Sequence, residues 1–273
     1  MNALEKLKNR NKKHLHICVG LDTDINKIPK HLLQTDDPIF EFNKAIINET
    51  REFAAAYKFN LAFYEAGGTK TIRSLEKSIA EIPSDILTIG DAKRGDIGNT
   101  SAMYAKSLFE HFGFDASTLN PLMGYDSLEP FFNYQNKLHF VLGLTSNPGS
   151  ADFEQLKLSN GNFLYEEIIT KVKSWGENIG IVFGATNEEQ LEKSIDLLRG
   201  LPLLIPGVGS QGGSLENIVQ ILFENNLNDF LINISRSLIY LDKSENFAYF
   251  TKIQLTKLNE IIRNLTDKNE KTN

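Results

Sequence analysis

Short apolar runs that close on polar residues recur along this chain, and longer stretches with helical spacing separate them. The runs are His16–Leu21, Ala55–Asn60, Ile86–Asp91, Ala116–Asn120, Phe140–Leu144, Gly180–Gly184, Leu201–Pro206 and Phe230–Ile234. Helical spacing appears over Glu65–Ala80, Thr100–Phe112, Phe163–Trp175, Glu188–Arg199 and Leu215–Asn225, and again over Glu245–Leu265. Strands alternating with helices in this way, over roughly 250 residues, predict a closed parallel (β/α)8 barrel, the TIM barrel. An open doubly wound sheet is the other architecture compatible with the alternation, because alternation alone does not specify closure. No linker, repeat or low-complexity segment divides the sequence, so residues 1–273 are expected to form one α/β domain. Met1–Lys13 reads as a polar N-terminal helix, and the polar tail Thr266–Asn273 is expected to fray.

In such a barrel the C-terminal ends of the strands share one face, and active sites sit there. The polar residues of this chain fall at those ends. The most informative segment is Asp91-Ala92-Lys93-Arg94-Gly95-Asp96, at the end of the third run. Side chains two apart on a strand point the same way, so Asp91 and Lys93 are expected to project together, with Asp96 on the loop beyond. An ammonium beside one carboxylate and near another forms a coupled charge site. An ordinary surface ion pair is the alternative and would contribute little. The same period places Lys58 and Asn60 on one side of the second strand, and Asp22 closes the first. Asn120-Pro121 and Thr145-Ser146-Asn147-Pro148-Gly149 end the fourth and fifth.

Pro206-Gly207-Val208-Gly209-Ser210-Gln211-Gly212-Gly213 follows the seventh run, and Ser235-Arg236 ends the eighth. A glycine-rich loop that opens a helix can present backbone N–H groups to an anion, and arginine adds a forked permanent charge. Barrels often hold phosphate at these two loops. The glycines match neither the dinucleotide G-x-G-x-x-G pattern nor the Walker loop.

Composition excludes several classes. With 29 basic and 35 acidic residues the formal charge is −6, and no basic run suggests a nucleic-acid footprint. No apolar run reaches bilayer length, and the N-terminus has no apolar signal core. The one cysteine, Cys18, lies in the apolar run Ile17-Cys18-Val19, where packing is its expected role; with no internal disulfide available, a cytoplasmic protein is expected. His14, His16, His31, His111 and His139 follow no metal-ligand spacing.

The ordered series of motifs resembles the orotidine 5′-phosphate decarboxylase family, specifically its longer bacterial subgroup (type 2). The resemblance spans roughly Val19 to Ile239. It is carried by Val19-Gly20-Leu21-Asp22, by Lys58-Phe59-Asn60 with Phe63-Tyr64-Glu65-Ala66, by Asp91 through Thr100, by Asn120-Pro121 with Gly124 through Pro130, and by the three loops at strands five, seven and eight. D-x-K-x-x-D alone is shared with related sugar-phosphate barrels; the whole series is far more specific. The resemblance implies conversion of orotidine 5′-monophosphate to UMP and CO2 in de novo pyrimidine synthesis, with no metal and no organic cofactor. It implies that Lys93 stabilises the C6 carbanion and protonates it, that Asp91 lies near the departing carboxylate, and that Lys58 sits between Asp22 and Asp91. Asp22 and Lys58 would contact the ribose, Ser146 the pyrimidine, and Gln211 and Arg236 the phosphate, with Asn60 and Ser235 also counted among the substrate-binding residues. A homodimer is implied in which Asp96 reaches the other subunit's site, with Ile97 and Thr100 nearby.

Two other function classes fit part of the pattern. A metal-dependent sugar-phosphate lyase or decarboxylase on a related barrel would share D-x-K-x-x-D but place an acidic metal ligand on strand two, where this chain has Lys58. A non-catalytic phosphate-binding barrel would not require every charged position to be present.

Overall fold

The computed structural model describes residues 1–209 and 212–272. It shows a closed parallel barrel of eight strands in sequential order. The strands are β1 Ile17–Gly20, β2 Ala56–Asn60, β3 Leu87–Arg94, β4 Ala116–Leu119, β5 Leu138–Leu144, β6 Ile179–Phe183, β7 Leu203–Pro206 and β8 Phe230–Ile234. Closure is direct: β1 pairs with β2 through Cys18↔Ala56 and with β8 through Cys18↔Asn233. The open-sheet alternative is thereby excluded.

Strand alternation sorts the core into two layers. One cluster fills the barrel interior and includes Cys18, Ala56, Leu87, Ile89, Ala116, Leu138, Phe140, Val182, Leu204 and Leu231. The residues between them in sequence, such as Ile17, Val19, Tyr57, Phe59, Val141, Ile181, Ile205 and Ile232, belong to the layer under the helices. Ala3 and Leu7, from the first helix Ala3–Asn11, join the interior cluster and close the N-terminal end of the barrel. Lys6 and Arg10 fix that helix to the barrel base through Asp115 and Asp85, at 2.7 and 2.8 Å.

Several expected helices differ from the sequence reading; Thr100–Phe112, for example, is an α-helix Gly98–Lys106 followed by a π-helical turn Ser107–His111. The helix expected over Glu65–Ala80 begins at Gly68 instead, where φ is +68°, and Glu65 ends a separate short helix, Leu61–Glu65. Glu188–Arg199 is likewise interrupted at Ser194. The last helix starts at Phe247 and continues past Leu265 to Thr272. Thr266 donates its hydroxyl to the Ile262 carbonyl within it. Among the described residues no helix is long and apolar enough to cross a membrane.

Candidate active site at the barrel mouth

The inward stripe of the barrel turns polar in its last layer. Above Ala56 stands Lys58, above Ile89 stands Asp91, above Ala116 stands Thr118 and above Leu231 stands Asn233. Apolar packing below and helices outside therefore hold these groups away from bulk water. Lys58 is 4% exposed and Asp91 8%.

Four charges alternate across this layer. Lys58 Nζ lies 2.7 Å from Asp91 Oδ2 and 3.5 Å from Asp22 Oδ1. Lys93 Nζ lies 2.6 Å from Asp91 Oδ1. The order is thus Asp22, Lys58, Asp91, Lys93, and the terminal cation is the open one, since the Lys93 side chain is 48% exposed. Burial by itself would drive Lys58 toward its neutral form; the Asp91 and Asp22 carboxylates outweigh that and hold its pKa above the usual lysine value. Burial would likewise raise Asp91, but Lys58 and Lys93 hold its carboxyl well below the ordinary range. Both groups are therefore ionised at neutral pH, and each keeps the other so.

The local backbone at Asp91–Lys93 is not the regular strand that the sequence pattern suggests. Gly90 pairs with Ser117 and Arg94 with Leu119, so three residues of β3 stand opposite Thr118 alone. This bulge places Lys93 at φ +50°, a left-handed conformation uncommon for a residue with a Cβ. Lys93 still returns to Asp91, as the period-two argument expects, but through a bulge. Arg94 turns outward instead, pairing with Glu65 and covering the Tyr104 ring at 5.0 Å.

Neighbouring loops are braced by polar networks. Tyr240 accepts from the Asp24 N–H at 2.7 Å and donates to the Asp22 carbonyl at 3.0 Å, clamping the loop that carries Asp22. Tyr64 donates to the Leu21 carbonyl at 2.8 Å and accepts from Asn43. After β5, the Thr145 N–H and hydroxyl both bond to Glu154, and Thr186 donates to the Ser146 carbonyl at 3.0 Å. A Cβ on Gly184 would stand 2.6 Å from the Ser146 backbone, so only glycine permits this approach. Thr118, Tyr240 and Glu154 were not singled out by the sequence. None has a spacing in the sequence that sets it apart.

The remaining expected site residues are placed less tightly. Asn60 pairs in register with Asp91 and caps the helix Leu61–Glu65 through the Ala62 N–H. Asp22 Oδ1, Asn233 Oδ1 and Ser235 Oγ are buried yet make no hydrogen bond among the described residues. Arg236 is exposed beside Ser235 and forms no ion pair among the described residues. Among the described residues Asp96 accepts only from its neighbour Ile97 N–H, and Ile97 is 60% exposed; with Thr100, also exposed, they stand outside the four-charge array of their own chain. Gln211, expected at the phosphate, lies outside the described residues, as does Ser210.

The glycine-rich loop departs from expectation. Its N–H groups do not all face outward: Gly213 donates to the Gly207 carbonyl, Gly209 to Gly213 and Gly212 to Gly209. Ser214 N–H bonds to Glu188 Oε1 at 3.3 Å, so a carboxylate of the protein already lies at the start of the helix Leu215–Glu224. The loop does lie beside the strand-eight turn, since a Cβ on Gly209 would stand 3.4 Å from Ser237 Oγ.

No group of three or more His, Cys, Asp or Glu side chains among the described residues is arranged to hold a metal ion. His16 and His139 are buried among rings, His16 stacked on Phe230 with centroids 4.1 Å apart and His139 edge-on to Phe109 at 5.4 Å.

Comparison with known proteins agrees with this geometry. Residues 16–246 match the family model described as orotidine 5′-phosphate decarboxylase / HUMPS family. The orotidine 5′-phosphate decarboxylase of Phocaeicola vulgatus is 47% identical over 253 residues, covering 91% of this chain and 93% of that protein. The solved OMP decarboxylase of Leishmania donovani superposes with a TM-score of 0.81 at 34% identity, covering 96% of this chain and 99% of that one. The UMP synthase of the same organism superposes with a TM-score of 0.83 at 35% identity; 96% of this chain is covered, but it spans only 57% of that longer protein.

Proposed function

We propose a division of labour among the residues at the barrel mouth, from the premise that this chain belongs to the orotidine 5′-phosphate decarboxylase / HUMPS family and converts orotidine 5′-monophosphate to UMP and CO2, a step of pyrimidine nucleotide synthesis. Breaking the bond between C6 and the carboxylate leaves an electron pair on C6, in an orbital that lies in the ring plane. That pair cannot spread into the ring π system. Stabilisation then has to come from charge already in place, which acts without reorganisation in a site shielded from water.

Lys93 is the residue for that task. It is the exposed end of the charge array, so a bound ligand can reach its ammonium, while Lys58 is enclosed between two carboxylates. The ammonium stabilises the developing carbanion and transfers a proton to C6 as CO2 leaves; the resulting amine regains its proton from solvent. Asp91 orients Lys93 and lies beside the departing carboxylate. Lys58 keeps Asp91 ionised, and with Asp22 and Asn60 it faces the ribose. The ordered array Asp22, Lys58, Asp91, Lys93 is the single observation that carries this reading.

The rest of the substrate is held farther out. Ser146 recognises the pyrimidine, on a loop fixed by Glu154, Thr186 and Gly184. Ser235 and the exposed Arg236 take the phosphate, with Gln211 joining them. Binding energy from the phosphate then helps to assemble the charged site around C6. Asp96, which has no cation partner among the described residues of its own chain, reaches the site of a second subunit in a homodimer, with Ile97 and Thr100 beside it. The lone buried Cys18 suits a reducing compartment, and the enzyme is placed in the cytoplasm.

The test is Lys93→Ala. The variant is expected to fold normally and to lose turnover almost completely, with the loss in kcat, because a transition-state contact and the transferred proton both disappear. A folded variant that keeps most of its kcat removes Lys93 from the mechanism. The wild-type rate, followed by the loss of substrate absorbance, is expected to be unchanged by a chelator.

A further inference from the structure

The bulge that carries Lys93 is organised around one hydroxyl. Thr118 is 2% exposed and is the single β4 residue facing Asp91, Ala92 and Lys93. Its Oγ1 donates to Asp91 Oδ1 at 2.8 Å and accepts the Lys93 backbone N–H at 3.0 Å. The direction of both bonds is fixed. A backbone N–H can only donate and an ionised carboxylate can only accept, so the hydroxyl proton has to point at Asp91. One oxygen thus joins the two ends of the bulge, and the same Asp91 Oδ1 receives Lys93 Nζ at 2.6 Å. Asp91, Lys93 and Thr118 form a closed ring of contacts through main chain and side chain.

We propose that Thr118 is a positioning residue for the decarboxylation: its hydroxyl holds the strained Lys93 backbone and the Asp91 carboxylate in one fixed relation. The inference rests on Lys93 and Asp91 having the roles given above. A left-handed lysine has no intrinsic preference for this conformation and persists where its surroundings impose it. The N–H bond to Thr118 imposes it from β4, and β4 is itself set by pairing with β5. The donor to Asp91 has a second consequence. When Lys93 turns from Asp91 toward a bound substrate, Asp91 Oδ1 keeps the Thr118 hydroxyl while Oδ2 keeps Lys58. The carboxylate therefore does not have to follow the moving ammonium, and its place beside C6 is preserved through the proton transfer. Misplacement of a reacting group by a fraction of a bond length is enough to lower turnover strongly.

Valine replaces the hydroxyl by a methyl group and keeps the branched shape, while serine keeps the hydroxyl and drops the methyl. Thr118→Val is expected to lower kcat by about ten- to a hundredfold, with KM changed by less than about threefold. Thr118→Ser is expected to stay within about threefold of wild type in both. A role confined to packing would give the opposite order, because serine loses the methyl contacts and valine keeps them. Should Thr118→Val fail to fold, the comparison passes to Thr118→Ala against Thr118→Ser, which differ in the hydroxyl alone. Melting temperature and binding of the product UMP, measured on each variant, separate lost positioning from lost structure. Near-wild-type kcat in Thr118→Val, or an equal loss in valine and serine variants, overturns the proposal. Lys93→Ala, assayed in parallel, tells the two readings apart. An active Lys93→Ala overturns the mechanism itself, whereas an inactive Lys93→Ala beside a fully active Thr118→Val overturns only the role of Thr118.

Discussion

Lys58 Nζ stands 2.7 Å from Asp91 Oδ2, and both side chains are almost wholly shut off from water at the top of an apolar barrel interior. Such a pair is costly to bury and stabilises only as a complete set, because removing one partner leaves the other charge without compensation. In this protein the set is larger than two, since Lys93 and Thr118 share the other Asp91 oxygen and Asp22 faces Lys58 from the far side.

Lys58→Met should therefore destabilise the fold as well as slow the reaction. It keeps the length of the side chain and removes the charge between two carboxylates. The expected loss is about 3 kcal/mol, at the lower end for breaking a buried pair, because Asp91 retains Lys93 and Thr118. Asp91→Asn in the Lys58→Met background should restore part of that stability, without restoring activity. Denaturant titration of the three proteins decides it: if the double variant is no more stable than Lys58→Met, the cost does not come from an uncompensated carboxylate.

Two buried histidines predict how stability depends on pH. Burial pulls His16 down to about 4 and His139 down to about 3, so both are neutral in the folded protein near pH 5. In the unfolded chain they titrate near the ordinary value of about 6.5. Between that value and the folded ones the unfolded state binds more protons, so stability falls as pH is lowered from about 6.5 toward 4. Each histidine can contribute up to about 1.4 kcal/mol per pH unit. His139→Gln should remove roughly half of the slope measured between pH 6 and 5. An unchanged slope in that variant would assign the acid sensitivity to other groups. Asp91 acts lower down: with its pKa depressed, its contribution is present above the ordinary carboxylate value and is lost as pH falls through the folded one.

How much of this was legible beforehand differs from element to element. The barrel was, because each strand is a short apolar run bounded by polar residues, and all eight fall within a few residues of where the pattern puts them. Part of the charge array was, because a period of two sets Asp91 with Lys93 and Lys58 with Asn60, whereas the place of Lys58 between Asp22 and Asp91 followed from the family resemblance alone. The bulge was not. Asp91-Ala92-Lys93 reads as plain strand, and only pairing with β4 shows three residues opposite one. Thr118 was hidden for the same reason, since a threonine in Ala116-Ser117-Thr118-Leu119 is an ordinary strand residue until its partner across the sheet is known. The break at Gly67-Gly68 was signalled by the glycines, but the helical spacing on both sides masked it. The glycine-rich loop suggested free N–H groups, and nothing in its sequence shows that it bonds to itself or that Glu188 approaches the next helix.

Asp96 gives a test of subunit sharing. It has no cation partner among the described residues of its own chain, and exposed Ile97 follows it. Asp96→Asn and Lys93→Ala should each be nearly inactive as homodimers. After mixing and subunit exchange, activity should reappear, because a heterodimer holds one site with both native residues. The ceiling is about a quarter of wild-type specific activity for random pairing: half of the dimers are mixed and each mixed dimer has one intact site of two. No recovery, with exchange verified by a mass-tagged subunit, would place Asp96 in its own chain's site.

Arg236 supplies the sharpest test of how binding far from C6 serves the chemistry. Arg236 follows Ser235 just after β8, in the turn that Gly209 approaches at Ser237; among the described residues the Ser235 hydroxyl has no hydrogen bond and Arg236 no ion pair. A charged donor with no ion-pair partner among the described residues is suited to a phosphate that arrives with the substrate. Arg236→Ala should then lower kcat/KM for orotidine 5′-monophosphate by about 2–5 kcal/mol, the usual loss when one member of a desolvated charge pair is truncated. The fold should be unaffected, since the side chain is exposed. Orotidine without its phosphate should react far more slowly with the wild-type enzyme, and at nearly the same slow rate with Arg236→Ala, because that molecule offers the arginine nothing to bind. Measuring both substrates on both proteins therefore isolates the interaction. An equal fractional loss for the two substrates would mean that Arg236 supports the barrel mouth itself. The phosphate would then have to be sought at another cation.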